Sequence, residues 1–179
     1  VHIGDNSGIG GEVMIWTHGA WLDVMQGFPA DFGPVKIGNN VWLPARCIVL
    51  PNVKIGDNTV IGIGSTVNKN IPAGSLAAGS PCKVIKENYY PINLSKSKKE
   101  SIVWSILGDW YKLHEMKGID AKAKYVNGQI ILIQNDNQTI YDVNEKIMYG
   151  YENDVSEDLR DFLRRRGIKI FTDKPFKSI

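Results

Sequence analysis

The 179-residue chain is 43% hydrophobic and 22% charged, and 21 Lys and Arg against 19 Asp and Glu leave a formal net charge of +2. A balance this near neutrality provides no field to gather nucleic acid or an anionic membrane surface, and no apolar run approaches the roughly 20 residues that span a bilayer, so neither partner is expected. The cysteines, Cys47 and Cys82, sit among small and apolar neighbours, which predicts reduced thiols packed as small hydrophobes and a cytoplasmic setting.

Along the first half, aliphatic residues recur six apart at Ile3, Ile9 and Ile15, and again at Ile37, Leu43, Val49, Ile55, Ile61 and Val67. Four residues after each stands a small or β-branched side chain in most cases, as at Ser7, Val13, Val41, Cys47, Val53, Thr59 and Ser65. A period of six belongs neither to a helix nor to a flat strand; it suits a coil of short strands, one hexad per flat face, with the aliphatics stacked inside a triangular prism. An ordinary β-sandwich would alternate with a period of two and does not fit. Gly38-Asn39-Asn40 and Gly56-Asp57-Asn58 are expected at the prism corners, where positive φ suits Gly and Asn. Because Val1-His2-Ile3-Gly4 already reads as mid-pattern, a chain continuing upstream is expected.

Between Ile15 and Val35 the register breaks, and the segment 16–34 carries Trp16, Trp21, Phe28, Phe32, Asp23, Asp31 and His18. Such an insert is expected to leave the prism as a loop, and loops on a rigid scaffold commonly carry chemistry. The repeats end near Ile71-Pro72-Ala73-Gly74, and a domain boundary is expected between 88 and 95. This divides the chain into an all-β parallel β-helix domain over 1–87, with its inserted loop 16–34, and a small α+β C-terminal domain over 96–179.

In the second half, Ile102, Val103, Ile106, Leu107, Trp110 and Leu113 form one helical stripe between Ser95 and Gly118. Strands are expected over 124–126 and 129–134 about the Asn127-Gly128 turn, then over 139–143 and 146–151. Ser156 is expected to cap a second helix that ends in Arg164, Arg165, Arg166 and Gly167, and 168–172 to close as a strand. Trp104, Trp110 and Tyr111 exceed what one stripe needs, so this unit is expected to cap the prism's open end or to border an acceptor entrance, with the arginines facing an acidic sugar.

Three stretches carry a resemblance: Val35-Lys36-Ile37-Gly38-Asn39-Asn40-Val41-Trp42, then Val49-Leu50-Pro51-Asn52-Val53-Lys54-Ile55-Gly56-Asp57-Asn58, then Gly79-Ser80-Pro81-Cys82-Lys83-Val84-Ile85. In order and spacing, residues 1–87 resemble the hexapeptide-repeat acetyltransferases, particularly the galactoside, maltose and polysaccharide O-acetyltransferases. The resemblance implies a left-handed parallel β-helix, a cyclic homotrimer with sites shared between neighbours, and acetyl-coenzyme A as acyl donor, with a hydroxyl of a sugar or polysaccharide as acceptor. It places a general base at His18 in Ile15-Trp16-Thr17-His18-Gly19, and many relatives carry Pro where this chain has Gly19; Glu12 or Asp23 is expected to orient the ring. An ordinary imidazole titrates near about pH 6.5, so the neutral ring can take a hydroxyl proton at cellular pH. It also places the donor along Trp42, Ala45, Ile63, Asn68, Lys69 and Lys83, where small residues at Ala45, Gly62, Gly64 and Ser65 let a ligand approach the main chain and Lys69 and Lys83 meet its phosphates. His2 and His114 are read as structural.

Other readings weigh less. A zinc enzyme on this fold takes three histidines and the prism offers His2 and His18, so no metal is expected. A non-catalytic interaction module has no need of a histidine-bearing aromatic insert. Within transferases, the alternative acceptor is an antibiotic or an amino group.

Overall fold

The computed structural model describes residues 1–118 and 120–171. The chain divides into two compact units, Val1–Asn93 and Leu94–Ile179.

In the first unit each hexad forms a two-residue strand and a turn. One coil holds β1 (His2–Ile3), β2 (Gly8–Ile9) and β3 (Met14–Ile15); the insert holds β4 (His18–Gly19) and β5 (Asp31–Phe32); the next coils hold β6 (Lys36–Ile37), β7 (Trp42–Leu43) and β8 (Ile48–Val49), then β9 (Lys54–Ile55), β10 (Val60–Ile61) and β11 (Thr66–Val67). With the insert's β4 and β5 set aside, strands three apart lie in one face, giving three parallel sheets, β1-β6-β9, β2-β7-β10 and β3-β8-β11, and the chain returns to a face after 18 residues (Ile37 to Ile55). Pairing is in register, Ile3 on Ile37 on Ile55 and Ile15 on Val49 on Val67. Period six therefore becomes columns of like aliphatics, and Ile37, Leu43, Val49, Ile55, Ile61 and Val67 are buried. Each such side chain removed from water stabilises the fold by about 1.5–3 kcal/mol before entropy is counted. β12 (Leu76–Ala78) extends the second face in parallel, and β13 (Lys83–Lys86) adds to it in antiparallel, ending the coil run.

The corners correct the expected role of glycine. Positive φ falls on Asn40 (55°), Arg46 (62°), Asn52 (64°) and Asn58 (55°), whereas Gly38 and Gly56 are not in that region. Those two glycines answer to crowding: a Cβ on Gly56 would stand 2.4 Å from Ala73 N, and one on Gly38 would stand 2.8 Å from Asp57 N, in the next coil. Asn39 and Asp57 carry the ladder outward, since Asn39 N–H donates to Asp57 Oδ1 and Asp5 N–H to Asn39 Oδ1.

The second unit holds α1 (Lys96–Met116), an antiparallel meander of β14 (Lys122–Val126), β15 (Gln129–Gln134), β16 (Asn137–Asp142) and β17 (Ile147–Gly150), and α2 (Asp154–Arg165). Ser95 caps α1 by accepting Lys98 N–H. Its buried face is Val103, Ile106, Leu107, Trp110 and His114, so Leu113 turns out to solvent and His114 occupies the core position expected of it. A period of 3.6 puts both residues near the stripe, and the polar partner decides: His114 lies 3.2 Å from Asp158 on α2, and Trp110 Nε1–H donates to the same carboxylate at 3.0 Å. Asn153 caps α2, and Ser156 is the third residue of a capping box in which each side chain bonds the other's main-chain N–H. Beyond Gly167, Ile168–Ile170 form no strand, and Phe171 makes a single bridge to Ile147; Thr172 lies outside the described residues.

The candidate acyl-transfer site

The insert departs from the corner between the third and first faces. It is a closed hairpin: β4 and β5 pair antiparallel, His18 opposite Phe32 and Gly19 opposite Asp31, and Gly33 N–H donates to Thr17 C=O at 2.8 Å. Between the strands a 3-10 turn over Val24–Gln26 starts on Asp23, whose carboxylate accepts Met25 N–H at 2.9 Å, and ends on Gly27 at φ 85°.

His18 is exposed, its ring lying over Phe32 with centroids 6.0 Å apart and planes 16° from parallel. Its Nδ1 stands 3.4 Å from Thr17 Oγ1. Neither acid expected to orient the ring does so: Asp23 caps the 3-10 turn, and Glu12 binds Arg46 Nε at 2.7 Å. Both are engaged near their own turns, a use that spacing along the chain does not reveal. The insert also leaves apolar side chains in solvent, with Trp21 95% and Met25 89% exposed.

The residues expected along the donor path fall into two groups. Trp42 stands outward on β7, and Ala45 and Ile63 lie on one edge, between the second and third faces, in successive coils tied by Gly64 N–H to Ala45 C=O at 3.1 Å. Lys83 begins β13, opposite Ala78 in the second-face sheet. Asn68 and Lys69 lie on the other edge of the third face, the edge from which the insert departs two coils earlier. Ile63, Asn68, Lys69 and Lys83 are exposed. Two of the small residues expected to admit a ligand are used internally: a Cβ on Gly62 would lie 2.6 Å from Ala78 Cβ, and buried Ser65 donates to Gly62 C=O at 2.6 Å. Gly64, at φ 67° with nothing within 4 Å, stays open.

A groove of 560 Å³ runs along the first face, past His2, Lys36, Lys54 and Asn70, away from His18. Burial first, and the neighbouring Cys47 second, push the Cys82 thiol above its ordinary value, so it remains an uncharged core group. Among the described residues no cluster of three or more His, Cys, Asp or Glu side chains is arranged to hold a metal ion, and no helix is long and apolar enough to cross a membrane.

Sequence reasoning missed Phe32 as the ring partner of His18 and Asn52 as the residue beneath the hairpin. Asn52 Nδ2 donates to Asp31 Oδ1 at 2.7 Å and to Phe32 C=O at 3.2 Å. An Asn at a corner with φ 64° is already explained by its backbone, so nothing in the sequence pointed to its side chain.

Residues 34–69 match the family described as bacterial transferase hexapeptide (six repeats). The chain resembles the hexapeptide-repeat acetyltransferases. Over 54 residues it is 56% identical to the galactoside O-acetyltransferase of Escherichia coli (strain K12), a stretch that covers 30% of this chain and 27% of that protein. Among solved structures, a maltose O-acetyltransferase from Clostridium difficile 630 is 42% identical with a TM-score of 0.41, covering 46% of this chain and 45% of that one. A galactoside acetyltransferase in complex with coenzyme A is 39% identical with a TM-score of 0.43, covering 51% and 49%. The chain thus spans about a quarter of the length of that curated relative.

Proposed function

We propose that the chain is an acetyl-coenzyme A-dependent O-acetyltransferase acting on a hydroxyl of a sugar or polysaccharide, with the left-handed prism and its hairpin as the catalytic domain. The observation that carries this reading is the conjunction of a hexapeptide-transferase repeat over residues 34–69 with an exposed histidine on the hairpin that leads into it. The stretch shared with a galactoside O-acetyltransferase supports the acceptor class.

Acetyl-coenzyme A is a substrate here and supplies an acetyl group activated as a thioester. An alcohol is a weak nucleophile until a base removes its proton as attack proceeds. His18, in its neutral form, takes that proton while the hydroxyl oxygen bonds to the acetyl carbon; collapse of the tetrahedral adduct breaks the carbon–sulfur bond, and the imidazolium returns the proton to the departing thiolate. Trp42, Ala45, Ile63, Asn68, Lys69 and Lys83 hold the donor, the lysines as point charges for its phosphates. Because Ala45 and Ile63 lie on the edge of the third face opposite the one that carries the hairpin, one copy's donor edge completes the site with another copy's His18 hairpin in a cyclic trimer. The exposed apolar side chains of the insert fit burial between such neighbours. The free thiols of Cys47 and Cys82 fit a cytoplasmic setting.

The test is His18→Ala, assayed with acetyl-coenzyme A and a galactoside and maltose panel by release of free thiol. Turnover should fall by about 10²-fold or more, the scale of a lost general base, with coenzyme A binding retained. Near wild-type turnover removes the base assignment, and a solution mass well below three times the 20.0 kDa chain in an active sample removes the shared site.

A further inference from the structure

We propose that Asn52 is a positioning residue: its side-chain amide clamps the strand that holds the ring of His18 in place. The proposal rests on the reading of His18 as the base and adds a residue that acts on it through another strand.

The β4–β5 hairpin pairs only two residues on each side, and a two-stranded ribbon that short is marginal in water unless something else fixes it. The prism supplies the fixing group. From the corner one coil on, Asn52 commits its NH2 to the Asp31 carboxylate at 2.7 Å and to the Phe32 carbonyl at 3.2 Å, so both bonds fall on β5. The fit is tight enough to dictate the next residue. A Cβ on Gly33 would lie 1.6 Å from Asn52 Oδ1 and 2.3 Å from its Cγ, so the amide occupies the space a side chain at 33 would take.

From β5 the constraint passes to the histidine by two routes. Gly33 N–H bonds to Thr17 C=O, the carbonyl immediately before His18, and the Phe32 ring lies flat over the imidazole. On its own strand the ring meets Thr17 Oγ1 at 3.4 Å, the far end of hydrogen-bonding range. Orientation is therefore set from β5, and β5 is set by Asn52.

The corner allows a clean separation of side chain from backbone. Asn52 sits at φ 64°, a conformation glycine adopts without strain, so Asn52→Gly deletes the amide and leaves the corner intact. In this variant the His18 ring resonances, displaced by the Phe32 ring current and assigned by their loss in His18→Ala, should move toward those of a free histidine. The Gly33 amide should exchange faster, and kcat should fall by about tenfold with the KM for acetyl-coenzyme A changed by less than about twofold, as expected for a misplaced rather than a missing base. Asn52→Asp turns a donor into a second carboxylate facing Asp31 and should lose as much. Adding Asp31→Asn to it restores a donor–acceptor pair in the reverse sense and should recover about fivefold in kcat, the worth of one hydrogen bond. Unmoved His18 resonances in Asn52→Gly, or an unchanged kcat, overturn the proposal. Full turnover by His18→Ala instead overturns the base assignment, while resonances and exchange still report on the clamp.

Discussion

The two units bury their apolar side chains, and the few polar ones that go in with them, by different means. In the prism the interior is a set of aliphatic columns in which one residue type stacks on its like, and the buried hydroxyls of Thr59 and Ser65 bond main-chain carbonyls at the corners. Register is imposed by the backbone ladders, so each coil makes much the same interior as the last. In the C-terminal unit the interior is irregular and its polar members find particular partners: Trp110 Nε1 on Asp158, His114 Nδ1 on Trp110 C=O at 3.1 Å, Tyr141 hydroxyl on Ser156 C=O at 2.6 Å, and Arg160 forked on Glu157. A repeating core is tied by backbone geometry and an irregular one by particular side-chain partners. Mutations should therefore be felt through crowding of the main chain in the first and through lost partners and cavities in the second.

The largest effect is expected where an irregular core has most to lose. Trp110 is fully buried, packs on His114 with centroids 3.9 Å apart and ties α1 to α2 through Asp158. Trp110→Ala should cost about 3–5 kcal/mol in urea denaturation, the range for removing a large buried aromatic, and should abolish slow amide exchange in α1 and α2. Trp110→Phe keeps most of the ring and deletes the N–H donor, leaving the Asp158 carboxylate one bond poorer; its smaller loss measures the polar tie apart from the packing. Equal losses in the two variants would mean that the tie, not the cavity, governs this core.

The prism's counterpart is a glycine. Gly56→Ala places a methyl group 2.4 Å from Ala73 N and 2.7 Å from its Cα, and neither main-chain atom can yield without displacing the next coil. A loss of about 1–3 kcal/mol in thermal or urea denaturation is expected, the usual cost of overpacking. Gly11 is the control within the same repeat: a Cβ there meets nothing within 4 Å, and its φ is not positive, so Gly11→Ala should be neutral. If both substitutions cost the same, crowding between coils is not what keeps glycine at these corners.

The same contrast explains how much could be read beforehand. Period six writes the prism into the sequence directly, because a column exists only if every coil repeats its residue, and Ile37 to Val67 fell where expected. The role of glycine did not follow: sequence shows that Gly38 and Gly56 recur, and only the pairing of coils shows that the neighbouring backbone leaves no room for a side chain. In the second unit the Asn127-Gly128 turn and the helix stripe marked the elements, yet the exchange of Leu113 for His114 and the capping of α2 by Asn153 depended on partners 44 residues away or on one box of hydrogen bonds. The arginine cluster shows the same limit, since Arg164 and Arg165 both pair with Asp161 and Arg166 lies over Phe162 rather than presenting free charge to an acidic ligand. For the candidate site, the interruption at 16–34 and His18 within it were visible because they break a strict pattern. Asn52 and Phe32 were not, since each obeys its local pattern and matters through what the hairpin brings against it.

The smallest expected effect tests whether individually matched polar groups also govern the turns of the second unit. Asp142 ends β16 and organises the turn into β17: its Oδ1 accepts Glu145 N–H at 2.9 Å and Asn144 N–H at 3.0 Å, and its Oδ2 accepts Gln129 Nε2–H at 3.1 Å. The Glu145 bond first, then those from Gln129 and Asn144, hold this carboxyl below the ordinary carboxylate range. A carboxyl held low in the folded chain binds its proton more readily when unfolded, so its contribution is fully present above the ordinary range and is lost as pH falls through the folded value. Asp142→Ala should thus lower the urea midpoint at neutral pH, and the gap to wild type should narrow on acidification below the ordinary carboxylate range, as the wild type gives up the same bonds. Asp142→Asn retains an acceptor for the turn but not a charge, and should lose less at neutral pH without the narrowing. A gap for Asp142→Ala that stays constant down to the acid end would mean the side chain stabilises this turn through its shape alone, and that the matching of polar partners stops at the core.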